Sequence, residues 1–405
     1  MKLPFKIKNC RLCEADLSNS KIIISLGNQY INDFPLNIAE KGKNGKCPLD
    51  IIFCENCDLY QLLHTAPQEL LYSRHYWYKS SINDTIKADL CEIGNLALKI
   101  ANVKKDDVFL DIGANDGTLL KNLKNKCITV GCEPANNLIN ELKENSNFQI
   151  NDFWNKKNYL KLGIKKAKVI TAIGMFYDME KPSQFIKDAA EILADDGVFI
   201  AQLMTLKPML ENKDLGNICH EHLEYYTYKS LKYLFENNGL EIYKIEENKI
   251  NGGSYRIFAR HLSAGSINHD EKISKGEVIK FLSEIDCIKT DIQNLLKNLK
   301  NSKKKIYAYG ASTKGNVILQ YFNLTNKEII AVADKNPLKF GLHTLTDIPI
   351  ISEELARTEA DVFFILPYGF TEEFIIREQE WIKKGGILIS PLPTLRIIDK
   401  SYYVS

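Results

Sequence analysis

The sequence predicts an α/β protein in which two Rossmann-like parallel sheets follow a small cysteine-rich module. From residue 107 onward, short β-rich runs alternate with helical stretches, which is the pattern of a parallel sheet covered by helices. Five of the ten cysteines fall within the first 57 residues. These observations divide the 405 residues into segments 1–65, 66–265 and 266–405, with a helical lead-in at 66–105.

Composition excludes several classes of protein. The chain is 45% hydrophobic and 26% charged, with a formal charge of +2 spread over scattered lysines, so we expect no nucleic-acid partner. No apolar run reaches the roughly 20 residues that span a bilayer, and the first ten residues lack the apolar core of a signal peptide. We therefore expect no membrane association and a cytoplasmic location.

The N-terminal cysteines form two C-x-x-C knuckles, NCRLCE and FCENCD. This spacing lets paired thiolates grip a tetrahedral Zn²⁺ ion, and the predicted ligands are Cys10, Cys13, Cys54 and Cys57. Four thiolates leave no position for water, so the zinc is expected to be structural. Unliganded thiols or a redox pair are the alternatives, and Cys47 is not expected to be a ligand.

The pattern of the middle segment predicts one parallel sheet that ends in an antiparallel pair of strands. A helix is expected from about Asn83 to Ile100, and the runs VFLDIG, CITVGCEP, KVITAIG and GVFIAQL predict its parallel strands. After a helix closed by Gly239, EIYKIEENKI and GGSYRIFARH predict an antiparallel pair. A terminal antiparallel pair on a parallel sheet fits a methyltransferase better than a dehydrogenase.

The last segment predicts a second, smaller Rossmann-like sheet. Apolar residues at helical spacing over roughly 275–300 indicate a long connecting helix. KKIYAYGASTKGNVILQYF then repeats the order of strand, glycine turn and helix, and IIAVADKNP, DVFFILPY and GGILISPLP supply three further strands.

The first glycine turn, DIGANDG at 111–117, predicts the cofactor. It is not G-x-G-x-x-G, and acidic residues in and after it would repel a pyrophosphate but suit the ammonium and sulfonium of S-adenosylmethionine. Asp111 is the candidate for the methionine end, and Glu133 could accept from both ribose hydroxyls. Another adenosine ligand is the alternative. The predicted cofactor contacts are Asp111, Gly113, Asn115, Asp116, Gly117, Glu133, Pro134 and Gly174.

The chain resembles the zinc-containing sugar C-methyltransferases, which act on nucleotide-linked deoxysugars and whose best-known members methylate C-3 of 4-keto sugars. The resemblance runs through both knuckles, HYWYKSS, DIGANDGTLL, ICHEHLEYYT, NGGSYRIFARH, YGASTKGN and VADKNPLKFG, in this order. It implies a zinc domain, a class I methyltransferase core, and a C-terminal domain that helps to enclose cofactor and nucleotide-sugar. We expect a monomer.

The H-E-H sequence supplies a candidate base. A carbon beside a ketone becomes a nucleophile only after it loses a proton, which requires a base of near-neutral pKa and stabilisation of the enolate. His222 has the right ordinary pKa, Glu221 or Glu224 could orient it, and the family's motif also places its base at the second histidine. His220 is the weaker candidate, assigned with Glu224 to the substrate. A metal site or a structural turn is the alternative.

The remaining assignments concern the substrate. The resemblance identifies Tyr76 and Tyr78 as pocket tyrosines that could bind the carbonyl or enolate oxygen, although aromatic runs are more often packing residues. Ser312 and Lys314 could hold phosphate at a helix N-terminus, or the turn could serve only the fold.

Two departures from the best-known members leave the acceptor open. AIGMFYDMEKP replaces an Asn-Val and His-containing stretch, and Cys219 replaces a tyrosine. An O-methyltransferase acting on a sugar hydroxyl is the enzymatic alternative, and an assembly or binding protein is the non-enzymatic one.

Overall fold

The computed structural model describes residues 4–73 and 76–403. The chain forms two compact units. The first consists of Met1–Ile22, Ile51–Lys207 and Glu221–Lys272, and the second of Ile23–Asp50, Pro208–His220 and Ile273–Ser405. The segments predicted from sequence are contiguous, whereas these units are interleaved, because the chain leaves the first unit after Ile22 and after Lys207 and returns each time.

A seven-stranded sheet forms the centre of the first unit. Its strands, in spatial order, are Leu240–Asn248, Ser254–His261, Leu193–Leu203, Ala167–Ile173, Val108–Ile112, Ile128–Cys132 and Phe148–Ile150. The last five are mutually parallel, and Ser254–His261 is antiparallel to both of its neighbours. The predicted parallel sheet with a terminal antiparallel pair is therefore confirmed. Every residue of Val108–Ile112 is buried, as expected for a strand covered on both faces.

Helices cover this sheet. They are Asp84–Ile100, Thr118–Lys121, Ile139–Asn145, Lys156–Leu160, Pro182–Ile192 and Tyr228–Glu236. The first begins where the Asn83 side chain accepts a hydrogen bond from the Ile86 backbone N–H. It buries Ile86, Leu90, Ile93 and Ala97, a stripe at helical spacing. In the aromatic motif, residues 76–79 have no regular structure, Ser80–Ile82 forms a short 3₁₀ turn, and His75 lies outside the described residues.

Short strands surround the cysteine knuckles. Phe5–Lys6 pairs with His64–Thr65, and Leu59–Leu62 pairs on one side with Lys46–Cys54 and on the other with Glu224–Tyr225, all antiparallel. Because Glu224–Tyr225 begins two residues after His222, the strand after the second knuckle is hydrogen-bonded to the segment that carries the candidate base.

The second unit contains a six-stranded sheet. Its spatial order is Ile350–Ser352, Val332–Asp334, Ile306–Tyr309, Val362–Ile365, Ile387–Ser390 and Arg396–Ile398, with only the last strand antiparallel to its neighbour. Its helices are Lys275–Asn301, Thr313–Tyr321, Glu353–Glu359, Thr371–Arg377 and Gln379–Lys383. Ile22–Tyr30 is a further strand, and Leu206–Glu211 is a short helix where the chain enters this unit. Among the described residues, no helix combines the length and apolarity needed to span a bilayer.

Candidate active site and zinc centre

The glycine turn follows the central strand Val108–Ile112 at its carboxyl end, where open α/β sheets bind ligands. Gly113 and Gly117 have φ angles of 75° and 77°. A Cβ atom at Gly113 would lie 2.6 Å from Met175 Cγ, and one at Gly117 would lie 2.7 Å from Asn145 Cβ. Both positions therefore require glycine, for backbone conformation as well as for space.

Two buried carboxylates flank this turn. Asp111 accepts a 2.6 Å hydrogen bond from Thr171 Oγ1, and burial raises the pKa of Asp111 to about 7. Glu133 accepts hydrogen bonds from the backbone N–H groups of Asn115 (2.9 Å) and Ala135 (2.8 Å), and burial also raises its pKa. Within the described part of the chain, neither carboxylate has an ion-pair partner. Buried acidic groups lacking a cation fit a ligand that carries an ammonium and a sulfonium.

The side chains of Asn115 and Asp116 form hydrogen bonds with the backbone of the aromatic motif. Asn115 Oδ1 accepts from the Ser80 backbone N–H at 2.9 Å, and its Nδ2 donates to the Tyr78 carbonyl at 3.2 Å. Asp116 Oδ2 accepts from the Ser81 backbone N–H at 3.0 Å. These two predicted cofactor residues thus fasten residues 78–81 to the turn, and a cofactor would meet the backbone at this point.

Pro134 and Gly174 lie at the same edge of the sheet. Pro134 follows Glu133 and is partly exposed. Gly174 follows the strand Ala167–Ile173, has a φ angle of 68°, and has open space where a Cβ atom would point. Its carbonyl accepts a 2.9 Å hydrogen bond from the Tyr177 hydroxyl.

His222 lies on an irregular turn and is half-buried. Its imidazole meets the ring of Tyr177 edge-on, with 4.4 Å between ring centroids. The Tyr177 carbonyl accepts from the backbone N–H groups of Leu223 (2.7 Å) and Glu224 (3.2 Å), so the same residue holds both the ring and the following backbone. The loop that follows strand Ala167–Ile173 therefore fixes the candidate base at the cofactor edge.

Tyrosines and carboxyl groups complete this region. The centroids of Tyr72 and Tyr76 are 5.7 Å apart, and the Tyr72 hydroxyl donates to the Glu221 carbonyl at 3.0 Å. Burial, with the charges of Asp178, Glu221 and Glu133, raises the pKa of Tyr76 well above its ordinary value. Tyr76 thus lies near the candidate ribose residue as well as the H-E-H sequence. Tyr78 is 46% exposed.

Sequence reasoning missed Tyr72 and Asp178. Burial and the neighbouring charges of Glu221 and Glu224 raise the pKa of Asp178 well above its ordinary value. Its position could have been inferred, because it follows a predicted parallel strand and parallel strands end at a common edge. Tyr72 carries no comparable signal, since it lies in the single helical turn Glu69–Ser73 and not at the end of a strand.

Two predicted substrate residues of the H-E-H region are buried. His220 belongs to the second unit, where its Nε2 lies 2.9 Å from the Cys47 carbonyl oxygen and burial lowers its pKa to about 4. Glu224 is 1% exposed and lies near Arg11 in the first unit. Their assignment to substrate binding stays a prediction, and this placement gives it no support.

Ser312 and Lys314 lie at the N-terminus of helix Thr313–Tyr321. Ser312 Oγ accepts from the Gly315 backbone N–H at 3.0 Å and so caps the helix. Lys314 Nζ lies 2.8 Å from Asp214 Oδ2, and the Tyr368 hydroxyl donates to the other oxygen of Asp214. The predicted phosphate contacts remain predictions, because in this structure the ammonium group already has a carboxylate partner.

The four predicted zinc ligands converge in the first unit. All their sulfur atoms lie within 4.8 Å of one another, with Cys10 and Cys57 3.6 Å apart and Cys13 and Cys54 3.5 Å apart. A tetrahedral Zn²⁺ with bonds of about 2.3 Å separates its sulfurs by roughly 3.8 Å, so the cluster fits zinc. Cys47 is outside the cluster, and burial raises its thiol pKa to about 12.

Comparison with known proteins agrees with this geometry. Residues 10–72 match a zinc-binding domain family, residues 83–245 a methyltransferase domain family, and residues 249–393 the C-methyltransferase C-terminal domain family. The C-methyltransferase NovU of Streptomyces niveus is 25% identical over an alignment of 414 positions, which covers 97% of each chain.

Similar solved structures include two methyltransferases at 14% identity. Magnesium protoporphyrin IX methyltransferase from Synechocystis PCC 6803 aligns over 46% of this chain and 91% of its own, with a TM-score of 0.35. A methyltransferase from Clostridium acetobutylicum aligns over 45% and 93%, with a TM-score of 0.34. The three family matches follow one another along almost the whole chain, and with the four-cysteine centre they show a zinc-binding, S-adenosylmethionine-dependent methyltransferase whose last part matches the C-methyltransferase C-terminal domain family.

Proposed function

We propose that the chain methylates a carbon next to a ketone in a nucleotide-linked deoxysugar, with C-3 of a 4-keto sugar as the expected acceptor. The observation that supports this most is the half-buried His222 at the cofactor edge, held by Tyr177 and adjacent in sequence to Glu221. The sugar class rests on the motifs shared with the sugar C-methyltransferases.

His222 is the proposed base. The ordinary pKa of an imidazole, about 6.5, lies in the range that suits a general base at neutral pH. In this mechanism a ring nitrogen of His222 takes the α-proton, and the electron pair of the C–H bond moves into the enolate. Glu221 precedes it on the turn and would stabilise the imidazolium that forms.

Tyr76 and Asp178 are the proposed donors to the enolate oxygen. The raised pKa of Tyr76 keeps its phenol protonated at neutral pH, and the raised pKa of Asp178 favours its neutral carboxylic acid. Among the described residues, Asp178 Oδ1 has no hydrogen-bond partner. Preorganised donors of this kind stabilise charge that develops in the transition state.

The cofactor would be held by Asp111 and Glu133. When bound, S-adenosylmethionine would supply its sulfonium-bound methyl group to the enolate carbon, the CH3–S bond breaking as the C–C bond forms, and would leave as the neutral thioether S-adenosylhomocysteine. A Cβ atom at Gly174 would have no heavy atom within 4 Å, so this position at the edge of the sheet leaves room for a ligand.

Solvent exchange tests the role of His222. The 4-keto nucleotide-sugar is incubated in deuterated water with the enzyme and S-adenosylhomocysteine, which cannot donate a methyl group. Because a positioned base contributes about 10²–10⁴-fold, His222→Asn should lose that much exchange and turnover while keeping cofactor affinity. His269→Asn, at a partly exposed histidine elsewhere in the unit, is the matched control. Near-wild-type turnover of His222→Asn would refute the assignment.

A substrate panel separates carbon from oxygen transfer. Nucleotide-sugars with and without the 4-keto group are incubated with labelled methyl donor, and the position of the label is read by NMR. We expect a carbon-bound methyl only in products of 4-keto sugars. An oxygen-bound methyl on sugars lacking the ketone would instead support the O-methyltransferase alternative.

A further inference from the structure

Arg11 connects the first zinc knuckle to the interior of the unit. It lies between the ligands Cys10 and Cys13, yet its side chain is only 2% exposed. Its backbone N–H donates to Gln61 Oε1 at 3.1 Å, and Gln61 Nε2 donates to Cys10 Sγ at 3.1 Å. One glutamine therefore binds both a metal ligand and the arginine beside it.

The guanidinium group reaches away from the knuckle. It donates to the Leu62 carbonyl and to Thr65 Oγ1, the latter at 2.7 Å. Its Nε lies 3.4 Å from Glu180 Oε1 and 3.9 Å from Glu224 Oε1. The two carboxylates differ in access to water, because the Glu180 side chain is 28% exposed and that of Glu224 is fully buried. Burial raises the pKa of Glu224 well above its ordinary value, and the nearby charge of Arg11 opposes that shift, so an ionised Glu224 depends on Arg11.

The groups around Arg11 also hold the His222 turn. Glu224 lies two residues after His222, and its Oε2 accepts from the Met179 backbone N–H at 3.4 Å. The Leu62 N–H donates to the Leu223 carbonyl at 2.9 Å, and the Leu223 N–H donates to Tyr177, whose ring contacts His222. Strand Leu59–Leu62, the loop after Ala167–Ile173 and the His222 turn are thereby joined around one guanidinium.

We propose that Arg11 is a positioning residue for the transfer reaction: it balances the buried Glu224 carboxylate and so fixes the turn that carries His222. The zinc centre then contributes to turnover by holding Arg11, without contacting the substrate. This inference rests on the proposed role of His222.

The alternative is that Arg11 only stabilises the zinc module. In that case its loss would lower zinc content and folding stability, and activity would fall in proportion to the folded fraction. A positioning role predicts a different result, namely normal zinc content and cofactor affinity together with reduced turnover.

The test uses Arg11→Gln, Glu224→Gln and the double variant. Zinc per chain, the Kd for S-adenosylmethionine, kcat and KM are measured for each. A small displacement of a catalytic group can cost about 10²-fold in rate, so Arg11→Gln should lose about that much kcat with zinc content, Kd and KM within twofold of wild type. The double variant should recover at least tenfold over Arg11→Gln, because removal of both charges leaves no unbalanced carboxylate.

Glu180→Gln is the matched control, since it removes the more exposed carboxylate near the same guanidinium and should leave kcat within twofold. Wild-type kcat in Arg11→Gln, or a double variant no faster than Arg11→Gln, would overturn the inference. If Arg11→Gln does not fold, Glu224→Gln alone decides: it leaves the guanidinium without its buried counter-charge, so kcat should fall, and an unchanged kcat would contradict the role assigned to the pair. If His222→Asn itself retains turnover, the proposed function has failed instead, and these outcomes are distinguishable.

Discussion

At the scale of single residues, the two carboxylates at the cofactor turn have different neighbours and different expected roles. Glu133 accepts two backbone N–H groups and lies beside the turn, whereas Asp111 has a hydroxyl partner beneath it. Glu133 is therefore preorganised to accept further hydrogen bonds, and Asp111 is placed to respond to a nearby positive charge.

Replacement of Glu133 should weaken cofactor binding. A hydrogen bond to a charged group is worth about 1.5–3 kcal/mol, and about 1.4 kcal/mol corresponds to tenfold in affinity. Glu133→Ala should thus raise the Kd for S-adenosylmethionine at least tenfold in calorimetry. Glu144→Ala, at an exposed position after the same strand, should leave it unchanged. Equal affinities in both variants would show that Glu133 does not bind the ribose.

Asp111 should make cofactor binding depend on pH. Its pKa of about 7 lies above the ordinary value of 3.8, so the native carboxyl takes up a proton that the unfolded one releases. Its contribution to the stability of the cofactor-free protein is therefore full below about pH 4 and is lost as the pH rises through about 7.

A bound cation reverses this preference because it favours the carboxylate. The Kd for S-adenosylmethionine should fall by up to about tenfold per pH unit between pH 5 and 7 and then level off. Asp111→Asn should remove most of this slope, as measured by calorimetry in matched buffers. A slope that persists in Asp111→Asn would assign the titration to another group.

The sequence could place these residues only in part. Asp111 and Glu133 were predictable because each follows the pattern of a parallel strand, and such strands end at one edge. Arg11 and Tyr72 were not selected, because each acts through partners distant in sequence, and Asp178 was missed although it follows a predicted parallel strand. The amide and carboxyl groups of Asn115 and Asp116 suit a cofactor as well as a backbone, so composition alone could not show that they hold residues 78–81.

At the scale of elements, strand length alone did not decide what was predictable: the short strand Val332–Asp334 lies in a predicted run, whereas the long strands Ile22–Tyr30 and Lys46–Cys54 were not predicted. The apolar runs that form Val108–Ile112 and Leu193–Leu203 predicted their strands. The three-residue strands Phe148–Ile150, Ile350–Ser352 and Arg396–Ile398 were missed, since so few residues show no periodicity. The cysteine knuckles were predictable because the spacing of their ligands is itself the signal.

The zinc knuckles should contribute to stability as well as to metal binding. A metal site that does not exist in the unfolded chain adds its binding free energy to folding. Cys54→Ser should therefore lower both the zinc content per chain and the thermal midpoint. Cys287→Ser, at an exposed cysteine outside the cluster, is the control. Full zinc occupancy in a Cys10→Ser, Cys54→Ser double variant would contradict the assignment of these cysteines as zinc ligands.

At the scale of the whole molecule, the interleaving of the two units could not be read from the sequence. A contiguous division follows composition and periodicity, whereas Ile23–Asp50 and Pro208–His220 join the second unit through tertiary contacts. Among these are the ion pair of Lys314 with Asp214 and the hydrogen bond from Asn32 Nδ2 to Thr313 Oγ1. The first unit holds the zinc centre, the cofactor turn and His222 together.

Removal of zinc should therefore lower the local stability of the His222 turn. The Leu62 N–H, on the strand that follows the second knuckle, donates to the Leu223 carbonyl, and the free energy that protects this amide includes the metal site. After chelation, peptides covering residues 59–65 and 221–225 should exchange hydrogen at least about tenfold faster, which corresponds to a loss of about 1.4 kcal/mol or more. Peptides covering Ile306–Tyr309 and Val362–Ile365, strands that carry no zinc ligand, serve as the internal reference. Faster exchange at 59–65 with none at 221–225 would show that the zinc module folds without supporting the catalytic turn.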